Sequence, residues 1–223
     1  MILSQAKLEL LKNSNIAKSL IEWGNDNYRN FPWRYTFDPF RVAMSELLLR
    51  RTRASQVTDA YLQIMKRCHD MCCIYNSGTD FIDNIISHLG IKRRSGLIIN
   101  AAGYICRNYN GIIPQSRELL ERIPGFGDYT VSAVRVFGFG MNDPLMDANT
   151  TRIFSRIFGI KINDSIRKSH ILHPAYMAAL GNSDPVKFGY AILDLGALVC
   201  KTIPECHACP LKKICSHFIN SCD

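Results

Sequence analysis

Apolar residues recur at helical spacing along nearly the whole chain, and no segment sustains the apolar–polar alternation of a half-buried strand. Phe40, Ala43, Met44, Leu47 and Leu48 form one stripe, and Val57, Ala60, Tyr61, Ile64, Met65 and Cys68 a second. Phe81, Ile82, Ile85, Ile86 and Leu89 form a third. Residues three and four apart share one face of a helix, so each stripe must be covered by another element. Further helical patterns fall near residues 6–22, 95–107, 116–122, 129–139, 150–158, 167–180 and 185–199. The pattern predicts an all-α fold of about ten helices. Turn residues gather at 24–39, 76–79, 108–116, 140–148 and 181–185, the expected loops.

At 223 residues the chain can bury a core as one domain or as two small lobes, and 47% hydrophobic with 21% charged residues is a globular balance. No stretch approaches the roughly 20 apolar residues of a membrane span. Residues 1–11 carry Lys7 and Glu9 in a helical pattern without a long apolar core, so no signal peptide is expected. A formal net charge of +8 favours a polyanionic partner, because a basic face gains affinity by releasing counterions from nucleic acid. Together these point to a cytoplasmic, nucleoid-associated protein with no membrane partner.

Between Leu120 and Val134 the sequence runs Leu-Glu-Arg-Ile-Pro-Gly-Phe-Gly-Asp-Tyr-Thr-Val-Ser-Ala-Val, placing Gly125 and Gly127 between two helical runs. Glycine tolerates positive φ and brings backbone close to another molecule. The following helix opens with free N–H groups and partial positive charge, which suits a phosphate. The corner reads as a helix-hairpin-helix near 116–139, with Gly125 and Gly127 as DNA-binding positions. An ordinary turn with glycine as a C-cap is the alternative. A second corner, residues 90–95, carries Lys92, Arg93 and Arg94, expected with Arg53 to meet phosphates.

The chain has nine cysteines, and the reducing cytosol argues against a disulfide framework. Cys68, Cys72, Cys73 and Cys106 are expected to be small buried hydrophobes, and Cys222 stands apart. Cys200, Cys206, Cys209 and Cys215 are separated by five, two and five residues. Structural zinc usually takes two short-spaced pairs, whereas a [4Fe–4S] cluster accepts thiolates from longer arms. The spacing favours the cluster, with zinc or unliganded thiols as alternatives. Lys201, Lys212 and Lys213 would help this loop meet phosphates.

Several motifs in order resemble the iron–sulfur, endonuclease III-like branch of the helix-hairpin-helix DNA glycosylases. These are Phe31-Pro-Trp-Arg34, Ser45-Glu-Leu-Leu-Leu-Arg-Arg-Thr52, the hairpin, Leu145-Met-Asp-Ala-Asn-Thr-Thr-Arg152 and the cysteines. The segments 46–52 and 147–152 are most similar to the mainly archaeal thymine glycosylases acting on T/G mismatches. One departure is that five residues separate Cys200 from Cys206, where better-known members have six. The resemblance implies a two-lobed fold: a six-helix lobe over 31–140, and a second lobe from 1–30 plus 141–223 bearing the cluster loop 200–215. Tyr129 would then face Asp147 across the cleft between them.

Breaking an N-glycosidic bond leaves positive charge on the sugar, so the site needs a carboxylate close by. One such pair at about 4 Å and an effective dielectric near 20 is worth roughly 4 kcal/mol, on the order of a thousandfold in rate. The resemblance assigns that role to Asp147, with Asn149 capping the next helix and orienting the site. By sequence alone Asp147 could equally be an N-cap. Tyr129 matches the position where bifunctional relatives carry an amine nucleophile, implying base removal without strand cleavage. Glu46 would sit in the base pocket, the alternative being a surface acid paired with Arg50. Arg50 and Arg51 match a residue that enters the duplex as the base leaves, the alternative being a solvated basic face.

The resulting expectation is a monomeric, monofunctional glycosylase acting on thymine or uracil opposite guanine in double-stranded DNA, where a mismatched base is cheapest to extrude. Two other readings stand beside it. One is an adenine glycosylase acting opposite G or oxidised G, whose known members usually continue into a further C-terminal domain. The other is a non-catalytic DNA-binding module, which leaves Asp147 and Tyr129 without a role.

Overall fold

A computed structural model describes residues 8–9, 11–12, 15–50, 52–87, 94–161 and 170–220, and every regular element among them is helical. In chain order these are α1 (Ile16–Asp26), α2 (Pro39–Leu49), α3 (Ala54–Arg67), α4 (Met71–Ile86), α5 (Arg94–Tyr109) and α6 (Arg117–Leu120). There follow α7 (Asp128–Ala133), α8 (Ala148–Phe158), α9 (His173–Leu180), α10 (Pro185–Leu198) and α11 (Ser216–Ile219). They fall into two compact units, Asn30–Met141, and Met1–Arg29 with Asn142–Asp223. No helix among the described residues is long and apolar enough to cross a membrane.

Helix starts follow local chemistry. Asp38 accepts from the Phe40 N–H at 2.9 Å, Asp70 from Cys73 at 2.7 Å, and Asp184 from Val186 and Lys187 at 2.9 and 3.0 Å. Each satisfies donors that a first turn leaves open. Pro39 and Pro185 occupy the first helical position, where the missing N–H costs nothing.

In the Asn30–Met141 unit α2 is the central rod, and all residues from Phe40 to Leu48 except Arg41 are buried. A helix enclosed on every side belongs to the interior, and α3, α5 and α7 pack around it. The pattern expected at 129–139 splits into α7 and a π-helical turn, Val134–Gly138. The wider turn brings the Gly138 backbone against Pro39, where a Cβ would lie 2.9 Å from the Pro39 Cα. The pattern at 116–122 shortens to the single turn α6. The expected loop at 76–79 is instead a break within α4 at Gly78, whose φ of 77° leaves the helical region.

The pairing of α4 with α5 corrects the reading of the first four cysteines. Cys72 is disulfide-bonded to Cys106, and Cys68 to Cys73. Cα separations of 4.8 and 5.4 Å suit the bond, and of the four only Cys68 is fully buried. Beside the Cys72–Cys106 link, the Tyr75 ring lies where a Cβ on Gly103 would approach to 2.7 Å, and the Arg107 guanidinium stands over that ring at 5.4 Å. Cys222 lies outside the described residues.

In the other unit α10 is the buried element, with Phe188, Ile192 and Leu195 in the core. A Cβ on Gly24 would meet the Ala191 Cβ at 2.7 Å, which explains how closely α1 packs on α10. Asp194 is fully buried and accepts from Arg29 Nε at 2.5 Å and the Arg29 N–H at 3.1 Å, so the charge is compensated. The expected helix at 6–22 lies partly outside the described residues, and α1 extends past it to Asp26; of the pattern at 167–180, α9 and a preceding 3₁₀ turn are described.

Candidate functional site

The start of α8 carries the candidate catalytic carboxylate. Asp147 is half-buried with extended backbone, φ −87° and ψ −177°, and its Oδ1 accepts from the Thr150 N–H at 2.7 Å. It is therefore the N-cap, a correction to the expectation that Asn149 caps this helix. A cap must precede the helical turn and reach an N–H beyond it, and Asn149 is already helical. The Asn149 Oδ1 instead accepts from Arg152 Nη2 at 2.8 Å. The cap occupies Oδ1 of Asp147 and leaves Oδ2 outside it.

Two arginines one turn apart on α8 then grip the last turn of α10 and the segment after it. Arg152 donates through Nε to the Cys200 carbonyl at 2.7 Å and through Nη2 to the Gly196 carbonyl at 2.9 Å. Arg156 donates to the Lys201 and Thr202 carbonyls at 2.7 and 2.9 Å, and its Nη1 lies 3.2 Å from Cys200 Sγ. Sequence reasoning gave neither a role, although their spacing of four placed both on one helix face.

Cys200, Cys206, Cys209 and Cys215 stand outside any disulfide and line one cavity with Arg156, Lys212, His217 and Phe218. Burial pushes the Cys209 thiol up to about 11, and the charges of Cys200, Cys215 and Cys206 add to the rise. Thiolates so gathered repel one another unless a cationic centre sits among them, and an arginine beside one sulfur supplies only part of the compensation. The donor set fits an iron–sulfur cluster. Lys201 is half-exposed and pairs with Glu205, an exposed pair that opens easily. Lys212 donates to the His207 carbonyl at 2.9 Å.

In the Asn30–Met141 unit the hairpin is braced from α6. Arg117 donates to Asp128 Oδ1 and Ser132 Oγ, both at 2.8 Å, and Arg135 donates to the Gln115 carbonyl at 2.7 Å. The two glycines differ. Gly125 has φ 85° and a Cβ there would meet Leu97 at 2.9 Å, so both conformation and space demand glycine. Gly127 is exposed with ordinary extended backbone, φ −85° and ψ 172°, and serves as the N-cap of α7. Tyr129 is half-buried in the first turn of α7. Glu46 is 8% exposed within α2, which excludes the surface-acid reading.

At the end of α2, Arg94 is a further correction. Expected to meet phosphate, it is 4% exposed and donates to the Leu48 carbonyl at 2.8 Å, the Arg50 carbonyl at 2.5 Å and Thr52 Oγ1 at 2.6 Å. Burial, then the neighbouring charge of Arg50, lowers its proton affinity. The carbonyls ending α2 need donors, and Arg94 supplies them. Arg50 is half-buried, its Nη2 3.8 Å from where a Cβ on Gly127 would stand. Arg53 is exposed. Arg51, Lys92 and Arg93 lie outside the described residues.

An all-helical chain with a glycine hairpin, a carboxylate at a helix start and a four-cysteine pocket has the make-up of the helix-hairpin-helix DNA glycosylases. It superposes on a solved thermostable thymine-DNA glycosylase with a TM-score of 0.85 at 26% identity, covering 94% of this chain and 97% of that one. It is 32% identical over 233 residues to the thymine-DNA glycosylase of Aeropyrum pernix, covering 99% of each. Against the thymine/uracil-DNA glycosylase of Pyrobaculum aerophilum it is 33% identical, covering 86% of each. The adenine DNA glycosylase of Buchnera aphidicola is 30% identical, but the match spans 86% of this chain and 55% of that protein. No family model matches the chain. The chain belongs to the thymine-DNA glycosylase family, whose members hydrolyse N-glycosyl bonds in DNA.

Proposed function

We propose that this protein is a monofunctional repair glycosylase, which removes thymine or uracil mispaired with guanine from double-stranded DNA and leaves the strand unbroken. The observation that carries the reading is Tyr129. The first turn of the hairpin helix presents a phenol, and a phenol cannot form the Schiff base through which an amine leads to strand cleavage.

Asp147 is the catalytic group in this reading. Its carboxylate stabilises charge developing on the sugar and holds the attacking water through Oδ2, while Oδ1 stays in the helix cap. The cap fixes the carboxylate in one orientation before substrate arrives, so little reorganisation is left to the reaction. Glu46, buried in α2, hydrogen-bonds the extruded base, accepting from a pyrimidine N3–H when ionised. Asn149 and Arg152 orient the start of α8. Gly125 and Gly127 seat the hairpin on the DNA backbone, and Lys201 and Arg53 add phosphate contacts.

Cys200, Cys206, Cys209 and Cys215 would hold a [4Fe–4S] cluster, which when bound cross-links the loop after α10 and neutralises the four thiolates. The protein acts as a monomer.

Labelled duplexes carrying T/G, U/G, A/G or A opposite oxidised G, analysed with and without alkali, test the assignment. Breaks at T/G and U/G appearing only after alkali are expected, whereas breaks without alkali would exclude the monofunctional reading. The buried Glu46 and the Buchnera relative favour adenine removal as the second reading, since a protonated carboxyl could donate to a purine. Preferential release of adenine would establish it instead.

A further inference from the structure

We infer that Arg94 is a positioning residue for DNA engagement, a buried guanidinium that anchors the Arg50 carbonyl and the Thr52 hydroxyl so that Arg50 is held against the hairpin glycine Gly127. The inference rests on the proposed reading of the hairpin as a DNA-backbone seat.

The chain leaves α2 at Arg50, whose φ of −57° and ψ of 116° end the helix. One side chain ties this helix end to Thr52. Arg94, the first residue of α5, takes the Leu48 carbonyl with Nη1, and with Nη2 takes both the Arg50 carbonyl and Thr52 Oγ1. Thr52 closes the turn by donating through its N–H to the Leu49 carbonyl at 3.1 Å and through its hydroxyl to the Arg50 carbonyl at 3.3 Å. A planar fork spanning three acceptors is what arginine offers and lysine, a single point donor, does not.

The geometry has a cost that stability alone would not select. A buried cation close to the Arg50 guanidinium is repelled by it, and a neutral donor could have satisfied the same carbonyls. Two like charges held together are relieved when an anion arrives. Arg50 emerges beside Gly127, the exposed glycine at the hairpin corner. Arg50 therefore contacts the backbone phosphate that the hairpin receives, rather than entering the base stack, and Arg94 acts through it.

The test is a double-mutant cycle on DNA binding with Arg94→Lys, Arg50→Ala and the pair, read by fluorescence anisotropy over a salt series on a T/G duplex and its fully paired counterpart. Loss of one phosphate contact weakens both duplexes alike and flattens the slope of log K against log [salt] by about 0.9. Arg94→Lys and Arg50→Ala should each weaken binding by about tenfold at low salt and flatten the slope. The pair should be within about twofold of either single change. Melting curves on the same preparations separate out loss of folding. An unchanged slope in folded Arg94→Lys, or losses that multiply in the pair, would overturn the inference. Base release is scored separately: a wild-type protein that binds DNA as described but releases no base from any duplex defeats the glycosylase reading and leaves the cycle intact.

Discussion

At the residue scale, the helix cap of Asp147 and the catalytic use proposed for it fall on different oxygens, so the two can be pulled apart. Asparagine caps helices as well as aspartate but carries no charge. Asp147→Asn should melt within a degree or two of the wild type, roughly, and lose base release by on the order of a thousandfold under single-turnover conditions. Asp147→Ala should lose the same activity and, in addition, about 1 kcal/mol of stability by denaturant titration. Full activity in the asparagine variant would remove Asp147 from the chemistry. The identity of this residue was legible in the motif around it, but its capping geometry was not. Asp147 and Asn149 are both capping types, and only the extended backbone at Asp147 decides between them. Tyr129 was equally legible as a residue type, since the missing amine needs no coordinates.

Among elements, helix positions were legible where turn residues gave way to an apolar stripe, as at 24–39 before α2 and 181–185 before α10. Misreadings came where contacts distant in sequence took over. The π turn after α7 depends on Pro39, the bonds of Arg94 on a helix end more than 40 residues earlier, and one disulfide on cysteines 34 apart. No local pattern encodes such pairings. Gly138→Ala would drive a Cβ into the Pro39 backbone, and should cost about 1–3 kcal/mol, measured by chemical denaturation. The α4–α5 staple makes a separate prediction. Closing a loop of this length is worth on the order of 3–4 kcal/mol, so Cys72→Ser should lower the melting midpoint by roughly 10 °C. Alkylation of the denatured, unreduced protein should leave Cys68, Cys72, Cys73 and Cys106 unlabelled, and labelling of all four would show them to be thiols.

For the whole molecule, the all-α class and the cysteine pocket were legible because each rests on a repeating spacing, helical periodicity in one case and ligand intervals in the other. The cluster can be checked by its own signature. The purified protein should be brown with broad visible absorption that bleaches on reduction, and Cys206→Ser should lose that colour. A colourless, zinc-containing preparation would contradict it. The described cysteines are meanwhile divided between two covalent states: sulfurs joined to each other within residues 68–106, and sulfurs outside any disulfide within residues 200–215, the set proposed to hold iron. Strong thiol reductant protects the second set while cutting the staples of the first, and oxygen does the reverse. Once the staples are cut, a melting temperature taken in dithiothreitol belongs to a different covalent species from one taken without it.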